Sequence, residues 1–497
     1  MRLLQTLSYV VLIAMIVLVQ FSCGSDDDDS PASETDDDDD TLDELGECAV
    51  VNVEVLPPPQ ENILSREIVV QTEIPCSLSG RVTSENLRGY GSSIPEFSAE
   101  GTEHRFRFYG LAETSIFHYV FHLASLPEHI VAQGDFETSS LPSWAPRPIL
   151  VEGADLADRK TWIVVTASAD SPPMGTFALE IIDRDGRLRF YAEPKYGTPK
   201  ASPEGGFFHG GDEMTRIGLD GSMDRLFVTD LNEPYLQKFH HYFYVNFEPL
   251  RYMLVFNMIG SGVMCDLTTP TDMAVGDGVA ELDEDGHEIW RWSAFDHQDE
   301  IPPDAMDPVS CLLLYGDLGE GTIDWTHANS AFPVPDEDAF LISMRNVSRV
   351  VKVNHNTGDI LWQLGNDLDF TWEDDESIGY QHDAQIMENG NLILFDNHFR
   401  RLDAPWSRVI EVELDTQSWT AKIVWELRFK YNMTNGTVEK LSNGNTLIST
   451  GGSFLVIEAD PEENEVWRAT YDLGNFGDWP GPVIHRATIY PSIWLDE

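Results

Sequence analysis

The sequence predicts an all-β protein, a six-bladed β-propeller preceded by a small N-terminal β-sandwich domain. Short runs of alternating polar and apolar residues, separated by turn residues, are typical of strands with one buried face. One turn-and-strand pattern recurs six times beyond residue 148, as expected of propeller blades. Hydrophobic residues make up 42% and aromatic residues 11% of the 497 residues, which is sufficient for a large core.

Residues 1–22 predict an export signal of the lipoprotein type. Arg2 precedes an apolar run at residues 9–19 that is too short to span a membrane comfortably. Cys23 follows directly, which resembles a bacterial lipoprotein signal, in which the cysteine becomes the lipidated first residue. We therefore expect an extracytoplasmic lipoprotein, periplasmic or at the cell surface, held by a lipid anchor in a bacterial membrane. An uncleaved signal anchor is the alternative.

Residues 23–46 predict an acidic, disordered tether. The stretch 26–44 holds 12 acidic residues and no basic residue. Such runs repel themselves and stay extended in water. The whole chain has 85 acidic residues against 31 Lys and Arg, which gives a formal net charge of −54. Because an acidic surface repels phosphate, this charge argues against a nucleic-acid partner.

Residues 47–148 predict the β-sandwich, and residues 149–497 the propeller. In the first region, residues 104–109 alternate between polar and apolar side chains, as in a strand with one buried face. A segment rich in Pro and Ser at residues 139–148 marks the boundary between the two domains.

The remaining cysteines suit an oxidising compartment because their number is even. They are Cys48, Cys76, Cys265 and Cys311. The pairs that are local in sequence, Cys48 with Cys76 and Cys265 with Cys311, are one of three possible connectivities. No two of these cysteines have CxxC spacing, so the sequence offers little support for a metal site.

The recurring pattern beyond residue 148 is an acidic or polar turn followed by a strand that ends in an aromatic residue. Its six copies lie at residues 183–190, 219–227, 283–290, 356–362, 415–425 and 460–467. We expect each turn to join the two outer strands of a blade and each Trp to pack between blades.

A second pattern places three histidines at equivalent positions in successive blades. His382 opens a strand that is followed by an Asn-Gly turn and a second strand, a strong hairpin signal. His327 and His241 open similar units. A lone histidine in a blade is most often structural, but three in register predict one shared place near the central channel. For His209 we favour a glycine-rich loop, and for His398 an exposed position.

Two further residues complete a candidate anion site. Asn329 follows His327 by two residues and therefore lies on the same face of its strand, and Arg345 follows the next strand. Imidazoles, an amide and a guanidinium together form a donor-rich pocket that suits an oxyanion.

These residues lie in blocks that resemble the bacterial arylsulfate sulfotransferases. The blocks are Asp324 to Ser330, Leu341 to Arg345, Thr357 to Gly365 and Gln381 to Ile386. The pair His240-His241 resembles the family's His-His-Asp block, with Tyr242 where Asp is usual, so the choice between the two histidines stays open.

The resemblance implies transfer of a sulfuryl group from a phenolic sulfate ester to a phenol, with no cofactor, nucleotide donor or metal. It implies that His382 is the nucleophile that becomes sulfated and that Arg345 binds the sulfuryl oxygens. His327 and His241 would join them in catalysis, with Asn329 and His240 binding substrate. The competing hypothesis is a propeller without catalytic activity that binds a ligand or a partner.

Overall fold

The computed structural model describes residues 48–87, 92–143, 145–155, 157–168, 177–193, 198–203, 205–210, 213–228, 236–261, 274–306, 323–373, 376–398, 406–473 and 482–495. The predicted signal and tether, Cys23, Cys265 and Cys311 lie outside these residues. Within these ranges, no helix has the length and apolar character needed to cross a membrane.

The first eight strands form the region before residue 148. They are β1 (Val50–Val55), β2 (Arg66–Cys76), β3 (Leu78–Thr83), β4 (Ser92–Ser93), β5 (Glu96–Phe97), β6 (Gly101–Phe108), β7 (Ile116–Leu123) and β8 (Leu126–Glu137). Two antiparallel sheets result, with strand orders β1-β2-β6 and β5-β3-β7-β8.

The predicted alternation in the first region is confirmed in β6. His104, Phe106 and Phe108 are buried, whereas the residues between them are exposed. Phe106 and Phe121 of the other sheet pack with ring centroids 4.6 Å apart, so the two sheets share one apolar core. A disulfide joins Cys48 and Cys76 beside this core.

The remaining strands follow in two groups. The first is β9 (Pro148–Glu152), β10 (Thr161–Ser168), β11 (Phe177–Ile182), β12 (Leu188–Ala192), β13 (Thr198–Ala201), β14 (Phe207–Gly210), β15 (Glu213–Ile217), β16 (Met223–Val228), β17 (Leu236–Phe247), β18 (Leu250–Gly260), β19 (Ala274–Leu282) and β20 (Glu288–Ser293). The second is β21 (Ile323–Asp324), β22 (Ala328–Pro333), β23 (Ala339–Met344), β24 (Arg349–Asn354), β25 (Ile360–Leu364), β26 (Thr371–Trp372), β27 (His382–Ile386), β28 (Leu392–Asp396), β29 (Trp406–Asp415), β30 (Thr420–Lys430), β31 (Thr437–Lys440), β32 (Thr446–Ser449), β33 (Leu455–Ala459), β34 (Glu465–Tyr471), β35 (Val483–Pro491) and β36 (Trp494–Leu495). Short 3-10 helices lie at Ala294–His297, Pro303–Ala305 and Gly451–Ser453.

Beyond residue 148, the described strands form six sheets built on four antiparallel strands each. In hydrogen-bonded order they are β35-β10-β11-β12 (sheet 1), β13-β14-β15-β16 (sheet 2), β17-β18-β19-β20 (sheet 3), β22-β23-β24-β25 (sheet 4), β27-β28-β29-β30 (sheet 5) and β31-β32-β33-β34 (sheet 6). β35 pairs with β10, so a strand near the C-terminus completes the sheet that contains β10, β11 and β12. β9 and β26 pair with the fourth strands of sheets 6 and 5, and β21 pairs with the start of β19, the third strand of sheet 3.

The six predicted turns all join the third and fourth strands of a sheet. The turn at residues 283–287 is an example: the backbone N–H of Asp283 donates to the carbonyl of His287, and the Asp283 carboxylate accepts from the backbone N–H groups of Asp285 and His287. Trp290 at the end of this copy packs on Phe340 of sheet 4, with ring centroids 4.9 Å apart. Trp467 of sheet 6 donates its indole N–H to the carbonyl of Arg184, which follows β11 of sheet 1. The predicted packing of Trp between sheets is confirmed at both positions.

The first strands of sheets 3, 4 and 5 share an irregularity that positions the site. Their pairing register shifts early in β17, β22 and β27. Three residues at or next to these breaks take a positive φ, namely 62° at His241 within the break of β17, 47° at His327 directly before β22, and 56° at Asp383 within the break of β27. Left-handed backbone is uncommon for residues other than glycine and turns the chain locally, as β-bulges do. Since β22 contacts both β17 and β27, these breaks lie side by side.

Candidate active site

Four histidines from three neighbouring sheets meet at these register breaks. The ring centroids of His240 and His241 are 4.8 Å apart. His241 lies 5.0 Å from His327 and 6.3 Å from His382, and His240 lies 6.3 Å from His327 by the same measure. The structure therefore brings together all four histidines that the sequence singled out as site residues.

His382 is held in one tautomer by two oxygen acceptors. Its Nδ1 atom lies 2.7 Å from Oδ1 of Asn397 and 2.9 Å from the carbonyl oxygen of Tyr380. Because both partners only accept hydrogen bonds there, Nδ1 carries the proton and Nε2 keeps its lone pair. Burial, and next the positive charge of Arg345, lower the pKa of His382 to about 3. A neutral imidazole with the lone pair at Nε2 is a nucleophile ready to react at neutral pH.

Asn397 is a site residue that the sequence analysis missed. Its side chain is fully buried, and its Nδ2 donates to the carbonyl oxygens of Asn432 and Asn435 at 3.0 and 2.9 Å. The amide therefore connects the loop after β30 to the imidazole of His382. No local motif marks Asn397, because its partners lie 15 to 38 residues away in the chain.

We expect Asn397→Ala to lower the free energy of unfolding by about 1–3 kcal/mol, because buried carbonyl groups lose their donors. Urea denaturation of this variant and of Asn356→Ala, at an exposed turn position, measures the difference. The Asn356 variant should stay within about 0.5 kcal/mol of the unmodified protein. Equal stability of all three proteins would contradict the structural role of Asn397.

Arg345 is buried beside these histidines and is held by its neighbours. Its Nη1 donates to Oδ1 of Asn346 at 2.7 Å, and its guanidinium carbon lies 4.1 Å from the centre of the Tyr380 ring. The backbone N–H of Arg345 donates to the carbonyl of His327 at 3.1 Å, which ties the guanidinium to the same place. Asn346 is itself fixed, because its Nδ2 donates to the carbonyl of Asp324 at 2.8 Å. The site therefore contains a preorganised cation next to a neutral nucleophile.

His327 donates from Nδ1 to Oδ2 of Asp324, with the two atoms 2.5 Å apart. A carboxylate at Nδ1 fixes the orientation and tautomer of an imidazole. Asp324 lies on β21, which pairs in parallel with the start of β19. His327 is thus oriented to exchange a proton at its other nitrogen.

Asn329 contacts the backbone on both sides of His382. Its Nδ2 donates to the carbonyl of Gln381 at 2.8 Å, and its Oδ1 accepts from the N–H of Asp383 at 3.3 Å. These bonds connect sheets 4 and 5 and fix the backbone that carries His382. Contact between Asn329 and a substrate stays a prediction.

His240 and His241 are linked to a second acid of the site, Asp277 of β19. His240 Nε2 lies 2.9 Å from Oδ1 of Asp277, and the Nδ1 atoms of His240 and His241 are 2.5 Å apart. Burial, followed by the charges of His240 and the other neighbouring histidines, lowers the pKa of His241 well below its usual value. Burial acts to raise the pKa of Asp277, but the hydrogen bond and charge of His240 outweigh it and lower that pKa.

Two expectations about other histidines are wrong. His209 lies in β14 and is buried, not in a loop. His398 is also buried, because its ring stacks on Trp406 with centroids 3.8 Å apart. The sequence also gave no sign of His485 on β35, whose charge acts on His241 and whose own pKa burial lowers to about 4.

The arrangement of these residues suits group transfer to a nitrogen nucleophile. It consists of the neutral imidazole of His382, the fixed guanidinium of Arg345, and two imidazoles that are bound by carboxylates. His327 is bound by Asp324 through Nδ1, and His240 by Asp277 through Nε2. Among the described residues, no group of three or more His, Cys, Asp and Glu side chains is arranged to hold a metal ion.

Comparison with known proteins identifies a family. The family model described as Arylsulfotransferase (ASST) matches residues 176–473. No curated protein matches the sequence. Among solved structures, the chain is similar to a protein of unknown function from Bacteroides caccae, with 14% identity over 66% of this chain and 98% of that one, at a TM-score of 0.38. It is also similar to TolB from Acinetobacter baumannii, with 9% identity over 72% of this chain and 78% of that one, at a TM-score of 0.38.

Proposed function

This chain belongs to the arylsulfotransferase family, and on that basis we propose that it moves a sulfuryl group from a phenolic sulfate ester to a phenol through a sulfohistidine at His382. The reaction uses neither a nucleotide donor nor a metal. The observation that carries this proposal is the state of His382, a buried imidazole whose Nδ1 proton is bound by Asn397 and Tyr380.

In the first half of the proposed reaction, Nε2 of His382 attacks the sulfur of the ester. The N–S bond forms, the S–O bond to the aryl group breaks, and the phenolate leaves. Because Nδ1 already holds a proton, the lone pair at Nε2 is available without prior proton transfer. In the second half, the oxygen of a phenol attacks the same sulfur, and the N–S electron pair returns to Nε2.

The transition state spreads negative charge over the three sulfuryl oxygens, as phosphoryl transfer does. Fixed donors stabilise such charge best because they need no reorganisation. Arg345 offers a planar fork that binds two oxygens at once, and Asn346 and Tyr380 hold it in place. One of the two histidines beside His382, His327 or His241, exchanges a proton with the phenolic oxygen.

The architecture that fits this site is a six-bladed propeller. Sheets 1 to 6 are its blades, with β35 closing the ring, and the N-terminal pair of sheets is the β-sandwich of residues 47–148. Adjacent placement of the first strands of sheets 3 to 5 supports this architecture, since inner strands of neighbouring blades meet at a propeller's central channel.

The cellular localisation that we propose, outside the cytoplasm, is based on the sequence alone. The signal at residues 1–22, Cys23 as the lipidated residue, and the acidic tether at residues 23–46 support an extracytoplasmic lipoprotein anchored to a bacterial membrane.

The test is detection of the covalent intermediate. Incubated with 4-nitrophenyl sulfate and no acceptor, the protein should gain the mass of one SO3 group, and proteolysis under neutral conditions should place it on the peptide with His382. Addition of phenol should remove the added mass and yield phenyl sulfate. A chain that binds the ester without gaining mass is a ligand-binding module, and an adduct at another residue would also overturn the proposal.

A further inference from the structure

A row of three side chains leads away from the nucleophile through sheet 3. His241 lies 6.3 Å from His382 between ring centroids. Its Nδ1 is 2.5 Å from Nδ1 of His240, whose Nε2 is 2.9 Å from Oδ1 of Asp277. Asp277 is almost fully buried at 1% exposure. The proposed sulfuryl transfer needs a proton acceptor for the phenol, but it does not itself account for His240 or Asp277.

The direction of these hydrogen bonds follows from the surroundings of Asp277. Its Oδ2 accepts from Oγ1 of Thr326 and from the backbone N–H of Ala328, both at 2.5 Å. Its Oδ1 is left for His240, so Nε2 of His240 is a donor. In neutral His240 the lone pair is then at Nδ1, which accepts from Nδ1–H of His241. The tautomer of His241 therefore depends on the carboxylate of Asp277, which acts on it through His240.

We infer that Asp277, His240 and His241 form a proton relay for the phenolic acceptor, with Asp277 as the positioning residue that sets the tautomer of both imidazoles. This inference rests on the proposed function. As the phenol attacks the sulfohistidine, its O–H bond breaks and its proton binds Nε2 of His241. The Nδ1 proton of His241 passes to Nδ1 of His240. The positive charge ends on His240, which is paired with Asp277.

The relay moves the positive charge from His241 to His240, where a carboxylate is close. His241 is a poor place for a positive charge, because it is half-buried and the rings of His240, His327 and His382 lie around it. His240 carries the charge better, since the Asp277 carboxylate lies 2.9 Å from its Nε2. In the reverse half-reaction the same path returns the proton to the departing phenolate.

The sharpest test is Asp277→Asn, because the neighbouring donors fix the orientation of the new side-chain amide. The donors Thr326 and Ala328 hold its oxygen where Oδ2 was, so its NH2 group faces Nε2 of His240. That donor moves the His240 proton to Nδ1 and forces the His241 proton to Nε2. The nitrogen that should accept the phenolic proton is then blocked.

The expected result depends on the acceptor. With phenols that are un-ionised at the assay pH, Asp277→Asn should lower the rate of sulfohistidine discharge by about 10²-fold to 10³-fold, within the usual range for general base catalysis. With acidic phenols that are already ionised, the loss should shrink to a few-fold. Asp277→Glu should restore part of the rate. Glu281→Gln is the matched control, because Glu281 is on the same strand and binds His355 away from the site.

Nitrogen-15 NMR of histidine-labelled protein reads the tautomers directly. The unmodified protein should show His241 protonated at Nδ1, and Asp277→Asn should show it protonated at Nε2. An equal loss of rate for ionised and un-ionised phenols would mean a structural role for Asp277 and would overturn the relay. Protonation of His241 at Nε2 in the unmodified protein would also overturn the relay. The NMR measurement needs no sulfated adduct, so it tests the relay even if the proposed function fails.

Discussion

His382→Ala is expected to abolish phenol-dependent release of 4-nitrophenol from 4-nitrophenyl sulfate, with a fall in kcat on the order of 10⁴-fold or more. The variant loses the only atom to which the sulfuryl group is proposed to bind, so the other donors remain with no nucleophile to assist. The rate is measured by absorbance of 4-nitrophenolate with phenol in excess.

Two controls separate loss of the nucleophile from loss of structure. His382→Gln retains polar atoms near Asn397 and Tyr380 but offers no nucleophilic nitrogen, so its rate should fall as far as that of His382→Ala. His287→Ala removes a histidine whose side chain is 77% exposed, and its rate should stay unchanged. Turnover by His382→Ala at more than a tenth of the original rate would contradict the assignment.

The pH dependence of the first half-reaction tests whether the pKa of His382 is lowered in the folded protein. With its pKa lowered to about 3, the imidazole stays neutral at pH 5, so the burst of 4-nitrophenol should keep its rate between pH 8 and pH 5. A histidine with the ordinary pKa of about 6.5 would lose roughly thirty-fold over that range. The lowered pKa of His382 also destabilises the folded protein as pH falls below about 6.5, because the unfolded chain binds a proton that the folded chain does not. Circular dichroism at each pH must therefore show folded protein.

The sequence predicted those parts of the fold whose signals are local. Each acidic turn fixes its own hairpin, because an Asp or Asn side chain binds backbone N–H groups a few residues ahead, as Asp283 does. The Asn-Gly hairpin after His382 is of the same kind. Repetition of these local units then placed His241, His327 and His382 at equivalent positions without any knowledge of the tertiary structure.

The residues that tune the site were not predictable in this way. Asn397 and Asp277 act on histidines 15 and 37 residues away, and neither belongs to a motif. The burial of His398 depends on Trp406, which the sequence places after a charged segment with no hint of a stacked pair. Tertiary contacts decide these positions, whereas the turn residues act within one hairpin.

Net charge is a poor guide to the ligand of this protein for the same reason. A formal charge of −54 describes a field that repels anions, yet the site places the buried side chains of Arg345 and His382 beside three partly exposed imidazoles. Charges exposed to water are screened within about 8–10 Å at physiological salt. A buried guanidinium such as that of Arg345 is screened far less, so we expect the local donors to determine what binds.

Arg345→Lys is expected to lower kcat/KM for 4-nitrophenyl sulfate by about 10²-fold to 10³-fold, the usual cost of removing one fixed transition-state donor. Lysine keeps the positive charge but loses the planar fork and the contact with Asn346, so charge alone does not replace it. Arg345→Met should lower the rate at least as much. It should also raise the pKa of His382, because the charge of Arg345 is one cause of its lowering.

The comparison of kcat with KM decides what Arg345 does. If the guanidinium mainly stabilises charge that develops during transfer, kcat falls while KM changes little. If it mainly holds the sulfate ester in the ground state, KM rises with kcat unchanged. Arg225→Lys, at an arginine whose side chain is 62% exposed, should leave both constants unchanged. Full activity of Arg345→Lys would show that the site needs a positive charge but not the fork geometry, and the preorganisation argued from Asn346 and Tyr380 would then be wrong.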